Sequence, residues 1–260
     1  MLSYQHAYHA GNPADLHKHL ALAQLIQLLT VKARGISYLE THAGRGLYDL
    51  GSEEARKTGE ASEGIGRARL PADAPLASVL GGLRREYGEG AYPGSPMIAA
   101  RLLRPQDRIV LMERHPEEYR ALKRAMRGTP AQIHHRDGYE GARALTPLQP
   151  RRGLVLIDPS YEVKTDYTET GRLAMDLSRR WPEAAIVVWY PLLAAERHTI
   201  LLQSCAAAAP LVDETRFDLK DGKGMTGSGL VILGAPYGAE DALSAAFSAG
   251  SGVLRRPHRA

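Results

Sequence analysis

The sequence predicts an α/β fold built on a mostly parallel sheet, and three observations carry that prediction. The run Gly153–Ile157 is uniformly apolar, as a strand covered on both faces must be, and it stops abruptly at Asp158-Pro159-Ser160-Tyr161. Between residues 108 and 145 strand-like and helix-like patterns alternate, the rhythm of strands joined by crossover helices. A chain of 260 residues with 44% hydrophobic content can bury one sizeable core, so one domain carrying an insertion is expected.

Asn12-Pro13 reads as an N-cap followed by a first-turn proline, and Leu16, Leu20, Leu25, Leu28 and Leu29 continue at near-helical spacing, which predicts a helix to about Lys32. Gly35 ends it, and Ile36–Glu40 is a short strand running into Thr41-His42-Ala43-Gly44-Arg45-Gly46. From Tyr48 to Tyr92 strand signals vanish; the stretch is polar and glycine-bearing, with one leucine-containing helical segment at Leu76–Tyr87. Residues 48–92 are therefore read as an insertion, and 1–47 with 93–260 as the main domain. Alternation then resumes: a strand at Arg108–Met112, a helix at Pro116–Met126, a strand at Gln132–His135 and a helix at about Tyr139–Leu145. After Gly153–Ile157 come a helix containing Leu173–Arg180 and an apolar strand at Ala185–Tyr190. Two late strands, near Glu214–Leu219 and Leu230–Leu233, flank the glycine-rich turn Lys220–Gly229 and predict a hairpin. The basic tail Arg255–Ala260 is read as frayed.

Composition excludes more than it identifies. A formal charge of +4 is compatible with a polyanionic partner without demanding one. Cys205 is the only cysteine, which rules out an intramolecular disulfide and a thiolate metal cluster and points to a reducing compartment. No stretch reaches the roughly 18 apolar residues that span a bilayer, and the first residues lack a charged-then-apolar leader pattern, so a cytoplasmic protein without membrane contact is expected. His6, His9, His17, His19 and His42 form no compact ligand motif and are read as surface or hydrogen-bonded histidines, with no metal. A serine hydrolase is disfavoured because no G-x-S-x-G elbow occurs.

The chemistry-bearing residues collect at strand ends. In an open α/β sheet ligands bind outside the carboxyl ends of the strands. Asp158 and Tyr161 fall there, with Leu154–Ile157 as the floor of a site. An acid, a proline carbonyl and an aromatic suit a flat base bearing an amino group. The Asp158 carboxylate can accept one N–H, the Pro159 carbonyl the other, and the Tyr161 ring can stack on the base. Gly44 and Gly46 allow the tight turn and close ligand approach typical of nucleotide loops, while the absence of a full G-x-G-x-x-G counts against NAD. Glu113 ends a strand where an acid can accept both hydroxyls of a ribose, and Asp137-Gly138 ends the next. Strands ending in Glu40, Glu113, Asp137 and Asp158 make a ring of acids that unrelated turns would seldom produce.

With these residues in place the chain resembles S-adenosylmethionine-dependent amino-methyltransferases and, more narrowly, the J-type 23S ribosomal RNA adenine-N6 methyltransferases. The resemblance rests on Met1-Leu-Ser-Tyr4, His9-Ala-Gly-Asn12, Lys18-His19, Thr41-His-Ala-Gly44, Tyr92-Pro-Gly-Ser-Pro96, Leu156-Ile-Asp-Pro159 with Tyr161-Glu162, Lys164-Thr-Asp-Tyr167, Trp189-Tyr-Pro191 and Gly224-Met225 with Ser228-Gly229. These motifs span residue 1 to about 234. The resemblance implies a seven-stranded Rossmann-like class I sheet whose last pair adds an antiparallel strand, with residues 48–92 as a small inserted helical subdomain. It implies a methyl-donor pocket of His19, His42, Ser95, Glu113, Asp137, Gly138 and Asp158, with Asp158 also receiving the target amine. Tyr4 would lie near the substrate and influence catalysis. Where the family has a second proline this chain has Ser160, which restores an N–H and a free φ to the loop.

The expected function is transfer of a methyl group to N6 of one adenine in 23S rRNA, presented as naked RNA or in an early assembly particle, by an enzyme acting as a monomer. Lys164 is a candidate RNA contact, as are Arg151, Arg152, Lys220 and Lys223 for phosphates. The rival readings are a DNA adenine-N6 methyltransferase, since the same geometry serves any adenine, and a non-catalytic RNA-binding or ribosome-assembly protein.

Overall fold

A computed structural model describes residues 6–217, 224–250 and 252–254. The first helix, α1 (Pro13–Thr30), starts where Asn12 accepts the Asp15 amide on its side chain. Fourteen of its residues are buried, among them Asp15, His17, Lys18 and His19. The leucine spacing thus under-describes α1: every residue from Pro13 to Ala23 is buried, polar ones included, and only the second half turns a face to solvent.

The main sheet contains β1 (Ser37–Glu40), β4 (Arg108–Met112), β5 (Gln132–His134), β6 (Gly153–Ile157), β7 (Ala184–Leu193), β8 (Leu211–Arg216) and β9 (Met225–Leu233). Its order is β5-β4-β1-β6-β7-β9-β8, and β9 alone runs antiparallel to its neighbours. This is the expected seven-stranded Rossmann-like arrangement, with β8 and β9 as the hairpin at its edge. The strands alternate their faces as a period of two requires. Tyr38, Ile109, Leu111, Leu154 and Leu156 join one core cluster, while Leu39, Val110, Met112, Val155 and Ile157 join the other. The first core is completed by α1, α3 (Pro75–Tyr87), α4 (Ser95–Leu102), α5 (Pro116–Ala125) and α9 (Ala239–Ala249). The second is completed by α6 (Gly138–Leu145), α7 (Asp166–Arg180) and α8 (His198–Cys205).

The structure differs from the sequence reading in two respects. Residues 48–92 are not free of strands: β2 (Leu47–Asp49) and β3 (Ala91–Pro93) pair antiparallel across the base of the segment, each too short to show a period. Within it, α2 (Glu53–Thr58) and α3 are helical, and the apolar residues Leu76, Val79, Leu80 and Leu83 of α3 enter the core cluster that contains α1. The sequence reading also assigns no helix to α4, α8 or α9.

Register places the site. Glu40 is level with Leu111 on one side and Leu156 on the other. Two residues further along each strand, His42, Glu113 and Asp158 therefore emerge side by side. Ile157 is level with Val188, so Trp189 on β7 stands beside Asp158. This is the switch point of the sheet: the chain leaves β1 toward β4 on one side and leaves the adjacent β6 toward β7 on the other, so a crevice opens between them.

Candidate active site

A cavity of about 490 Å³ occupies that crevice, a size within the usual range for small-molecule sites. One wall comes from α1 through Asp15, Lys18 and His19; the floor and opposite wall come from His42, Glu113, Asp137, Asp158 and Trp189.

At the β6 end, Lys18 Nζ lies 2.6 Å from Asp158 Oδ2 and 3.0 Å from Asp15 Oδ1. Burial alone would pull the ammonium down, but the two carboxylates outweigh it and hold Lys18 well above its ordinary pKa. Asp15 is buried too, yet His6 and Lys18 beside it keep it well below the usual carboxylate range. Its Oδ2 accepts the Gly11 amide at 3.0 Å and sits 2.8 Å from His6 Nε2. A buried charge needs a partner and hydrogen bonds to persist, and each member of this trio has both.

At the β4 and β5 end, Glu113 accepts the Gly44 amide on Oε2 at 2.8 Å and the His115 amide on Oε1 at 2.7 Å. Burial raises its pKa against these two bonds. Gly44 has φ +60°, a left-handed turn that brings its amide onto Glu113. Asp137 caps α6 by accepting the Glu140 amide at 3.0 Å, and its Oδ2 takes Arg114 at 3.1 Å. Gly138 then presses against the loop after β1: a Cβ there would stand 2.0 Å from the Thr41 carbonyl oxygen.

Between the two ends lie His19, His42 and Ser95. His19 is buried, bonded to Tyr92 Oη at 2.8 Å, and burial pushes its pKa down to about 3. His42 contacts Thr41 Oγ1 at 2.8 Å, and loss of hydration at the wall pushes it down to about 4. Both imidazoles are neutral at physiological pH. Ser95 opens α4 and donates its hydroxyl to Glu40. Glu40 is the exception among the strand-end acids. It does not line the cavity but lies buried beneath it, also accepting the Tyr38 hydroxyl at 2.9 Å, and burial lifts its carboxyl to about 8.

The expected donor residues His19, His42, Ser95, Glu113, Asp137, Gly138 and Asp158 all line this one cavity, as do Pro159, Ser160 and Tyr161. Tyr161 differs from expectation. Its φ is +54°, its ring is only 8% exposed and lies 4.5 Å from that of Tyr167, and its hydroxyl donates to the Trp189 carbonyl at 2.6 Å. The ring is packed into the protein rather than displayed as an open platform. A strained backbone at a cleft is where function is stored. Lys164 is exposed beside the cavity-lining Glu162 and Val163. Arg151 and Arg152 precede β6, at the end of the sheet opposite the cavity, and Arg151 is held by Glu183 through two bonds of 2.9 Å. Tyr4, Lys220 and Lys223 lie outside the described residues.

The sequence assigns no role to Lys18, Asp15 or Trp189, although Lys18-His19 and Trp189-Tyr-Pro191 stand out as motifs. Asp15 and Lys18 sit three apart on one helix face, the one local signal that could have paired them. The histidines have ordinary partners, including His9 on Glu60 Oε1 at 2.9 Å. Among the described residues no group of three or more His, Cys, Asp or Glu side chains is arranged to hold a metal ion. No described helix is long and apolar enough to cross a membrane.

Comparison with known proteins bears on this site. A family model described as ribosomal RNA large subunit methyltransferase D, RlmJ, matches residues 33–249. Ribosomal RNA large subunit methyltransferase J of Escherichia coli K12 is 35% identical over 254 residues, covering 94% of this chain and 91% of that protein. Its Haemophilus influenzae counterpart is 36% identical over 252 residues, covering 92% and 89%. The crystal structure of protein LPL1258 from Legionella pneumophila superposes with a TM-score of 0.81 at 31% identity, covering 96% of this chain and 99% of that one.

Proposed function

The chain belongs to the RlmJ family of ribosomal RNA large subunit methyltransferases, and from that premise we propose that it transfers a methyl group from S-adenosylmethionine to N6 of one adenine in 23S rRNA. The observation that carries the proposal is the placement of Asp158-Pro159 at the mouth of a crevice whose other end holds Glu113, Asp137 and Gly138. A target amine and a nucleoside donor can thus be seated in one cavity.

The residues fit such a donor. Glu113 has lone pairs left, beyond its two amide bonds, to accept ribose hydroxyls, and Asp137 can accept an exocyclic amine. Gly138 leaves no side chain between that carboxylate and the turn after β1. His19 and Ser95 offer neutral polar groups for the amino-acid part. When bound, S-adenosylmethionine supplies a methyl group already activated on a sulfonium.

The protein's task is then positioning. The adenine amine is a weak nucleophile because its lone pair is delocalised into the ring. Asp158 receives one N–H on Oδ1, its Oδ2 being held by Lys18, and the Pro159 carbonyl receives the other. As the amine attacks, positive charge develops on N6 beside Asp158, which offsets it. Lys18 locks the carboxylate in place, and Asp15 balances Lys18, leaving the trio with one net negative charge. The surplus proton leaves N6 through Asp158 or solvent. Tyr161 reaches a base by turning its ring out of the Tyr167 contact, while Trp189 already presents a partly exposed ring at the same level.

On this reading the enzyme acts as a cytoplasmic monomer on 23S rRNA, naked or in an early assembly particle, and residues 48–92 form a helical subdomain inserted in the methyltransferase domain. Tyr4 and Lys164 are assigned to the RNA. The test is incubation with S-adenosylmethionine and either unmodified 23S rRNA or duplex DNA, followed by digestion to nucleosides and mass spectrometry. N6-methyladenosine from RNA alone is expected. Methylated DNA with untouched RNA would replace the substrate assignment.

A further inference from the structure

Ser228, His17 and Asp213 come from β9, α1 and β8, and meet in the order of a hydrolytic triad. His17 Nδ1 is 2.9 Å from Ser228 Oγ, and His17 Nε2 is 3.1 Å from Asp213 Oδ1. Nucleophilic chemistry is excluded by burial, since His17 and Ser228 are both 0% exposed. The group that reaches Ser228 instead belongs to the site itself: the Trp189 indole Nε1–H donates to Ser228 Oγ at 2.8 Å.

The donor inventory sets the direction of this chain. An indole N–H can only donate, so Ser228 Oγ accepts from it. A carboxylate oxygen can only accept, so the His17 proton is on Nε2 and directed to Asp213. With the imidazole in its neutral form, Nδ1 is bare and receives the Ser228 hydroxyl proton. The four groups make one cooperative run from Trp189 to Asp213, and such runs fix orientation more firmly than their separate bonds. Phe247 of α9 packs on the His17 ring with centroids 4.6 Å apart, closing the buried end.

Trp189 is where the elements of the base pocket converge. Its ring lies 5.6 Å from Lys18 Nζ, its carbonyl accepts the Tyr161 hydroxyl, and it stands level with Asp158. We propose that His17 and Ser228, backed by Asp213, are positioning residues that hold the Trp189 indole in the orientation the target adenine packs against. The proposal rests on the assignment of this cavity to an adenine acceptor. His17, Ser228 and Asp213 touch neither substrate nor donor and act through Trp189, so their loss is read in the base-binding step.

The experiment uses the full-length protein. In wild type, nitrogen-15 NMR of the imidazoles is expected to show His17 protonated at Nε2 and bare at Nδ1. The Trp189 indole proton, identified by its disappearance in Trp189→Phe, is expected to be protected from exchange and to lose that protection in Ser228→Ala. Kinetically, Ser228→Ala is expected to raise KM for RNA about five- to tenfold, the loss of roughly one hydrogen bond, with donor affinity unchanged. In a Trp189→Phe background, which keeps a ring but has no N–H, adding Ser228→Ala is expected to change KM by less than about twofold. Additive effects in that cycle, or His17 protonated at Nδ1, would overturn the proposal. The imidazole measurement decides it even if Ser228→Ala fails to fold. Intact NMR signatures with no RNA methylation by wild type would refute the methyltransferase assignment and not the network.

Discussion

Lys18 and Asp158 are separated by 140 residues of chain, yet Lys18 Nζ lies 2.6 Å from Asp158 Oδ2. The carboxylate proposed to receive the target amine is therefore already gripped on one oxygen by a buried ammonium. Replacing Lys18 by Met leaves Asp15 and Asp158 facing each other without a cation. Breaking a buried pair on one side costs about 3–5 kcal/mol, and losing a preorganised charge at the reacting centre costs about 10²-fold or more in rate. Lys18→Met is expected to show both, as a lowered urea midpoint and as lost single-turnover transfer. A variant with wild-type turnover would remove Lys18 from the mechanism.

Asp158→Ala should lose methyl transfer by roughly 10²- to 10⁴-fold, the range for a group that positions and relieves a reacting amine. Donor affinity should fall by less than about tenfold, since one hydrogen bond at most is lost. Calorimetric titration with S-adenosylmethionine beside the transfer assay separates the two. Equal losses in both would make Asp158 a donor-binding residue only.

Asp137 caps α6 and is proposed to bind the donor, two roles that substitutions can divide. Asp137→Ala removes the cap of α6 and is expected to cost about 1 kcal/mol of stability together with donor affinity. Asp137→Asn keeps a capping oxygen, so stability should hold while donor affinity falls. Gly138→Ala is expected to be worse than either, because the Thr41 carbonyl stands where the new methyl would be and only backbone movement can relieve the overlap. Thermal unfolding with and without donor reports all three.

The pH dependence of stability should have two arms. His19 and His42 have folded pKa values of about 3 and about 4, below the ordinary 6.5. Their contribution is full above pH 6.5 and is lost as the pH falls toward those values, because the unfolded chain then binds protons that the folded one refuses. Glu40 has the opposite sign. Its folded pKa of about 8 lies above the ordinary 4.5, so its contribution is full below 4.5 and declines as the pH rises to about 8. Glu40→Gln keeps the shape and stays neutral. Its stability relative to wild type should therefore climb between pH 5 and pH 8 in urea titrations. Parallel curves would mean that Glu40 does not titrate in that window.

The parallel strands of the main sheet and the ends that face the cavity were legible in the chain alone, whereas β2 and β3 were missed and β9 begins at Met225, inside the stretch read as a turn. Uniformly apolar runs such as Gly153–Ile157 admit few structures other than buried parallel strands, and in that architecture the residues just past each strand lie at the ligand-binding edge. Glu113, Asp137 and Asp158 were therefore readable as neighbours from the strand ends, whereas His42 entered only through the family resemblance and Glu40, read with the acids, does not line the cavity. Tertiary packing settled the relationships that no local pattern encodes. Glu40 falls beneath the cavity because β1 is central and its last side chain meets Tyr38 and Ser95. Arg151 and Arg152 fall at the far end because they come before their strand rather than after it. Lys18 reaches Asp158, and His17 reaches Ser228, only because the first half of α1 is buried against strands formed more than a hundred residues later. Periodicity reports which face of an element is covered; it carries no information about which distant polar group a buried charge will meet, and at this site those meetings set the chemistry.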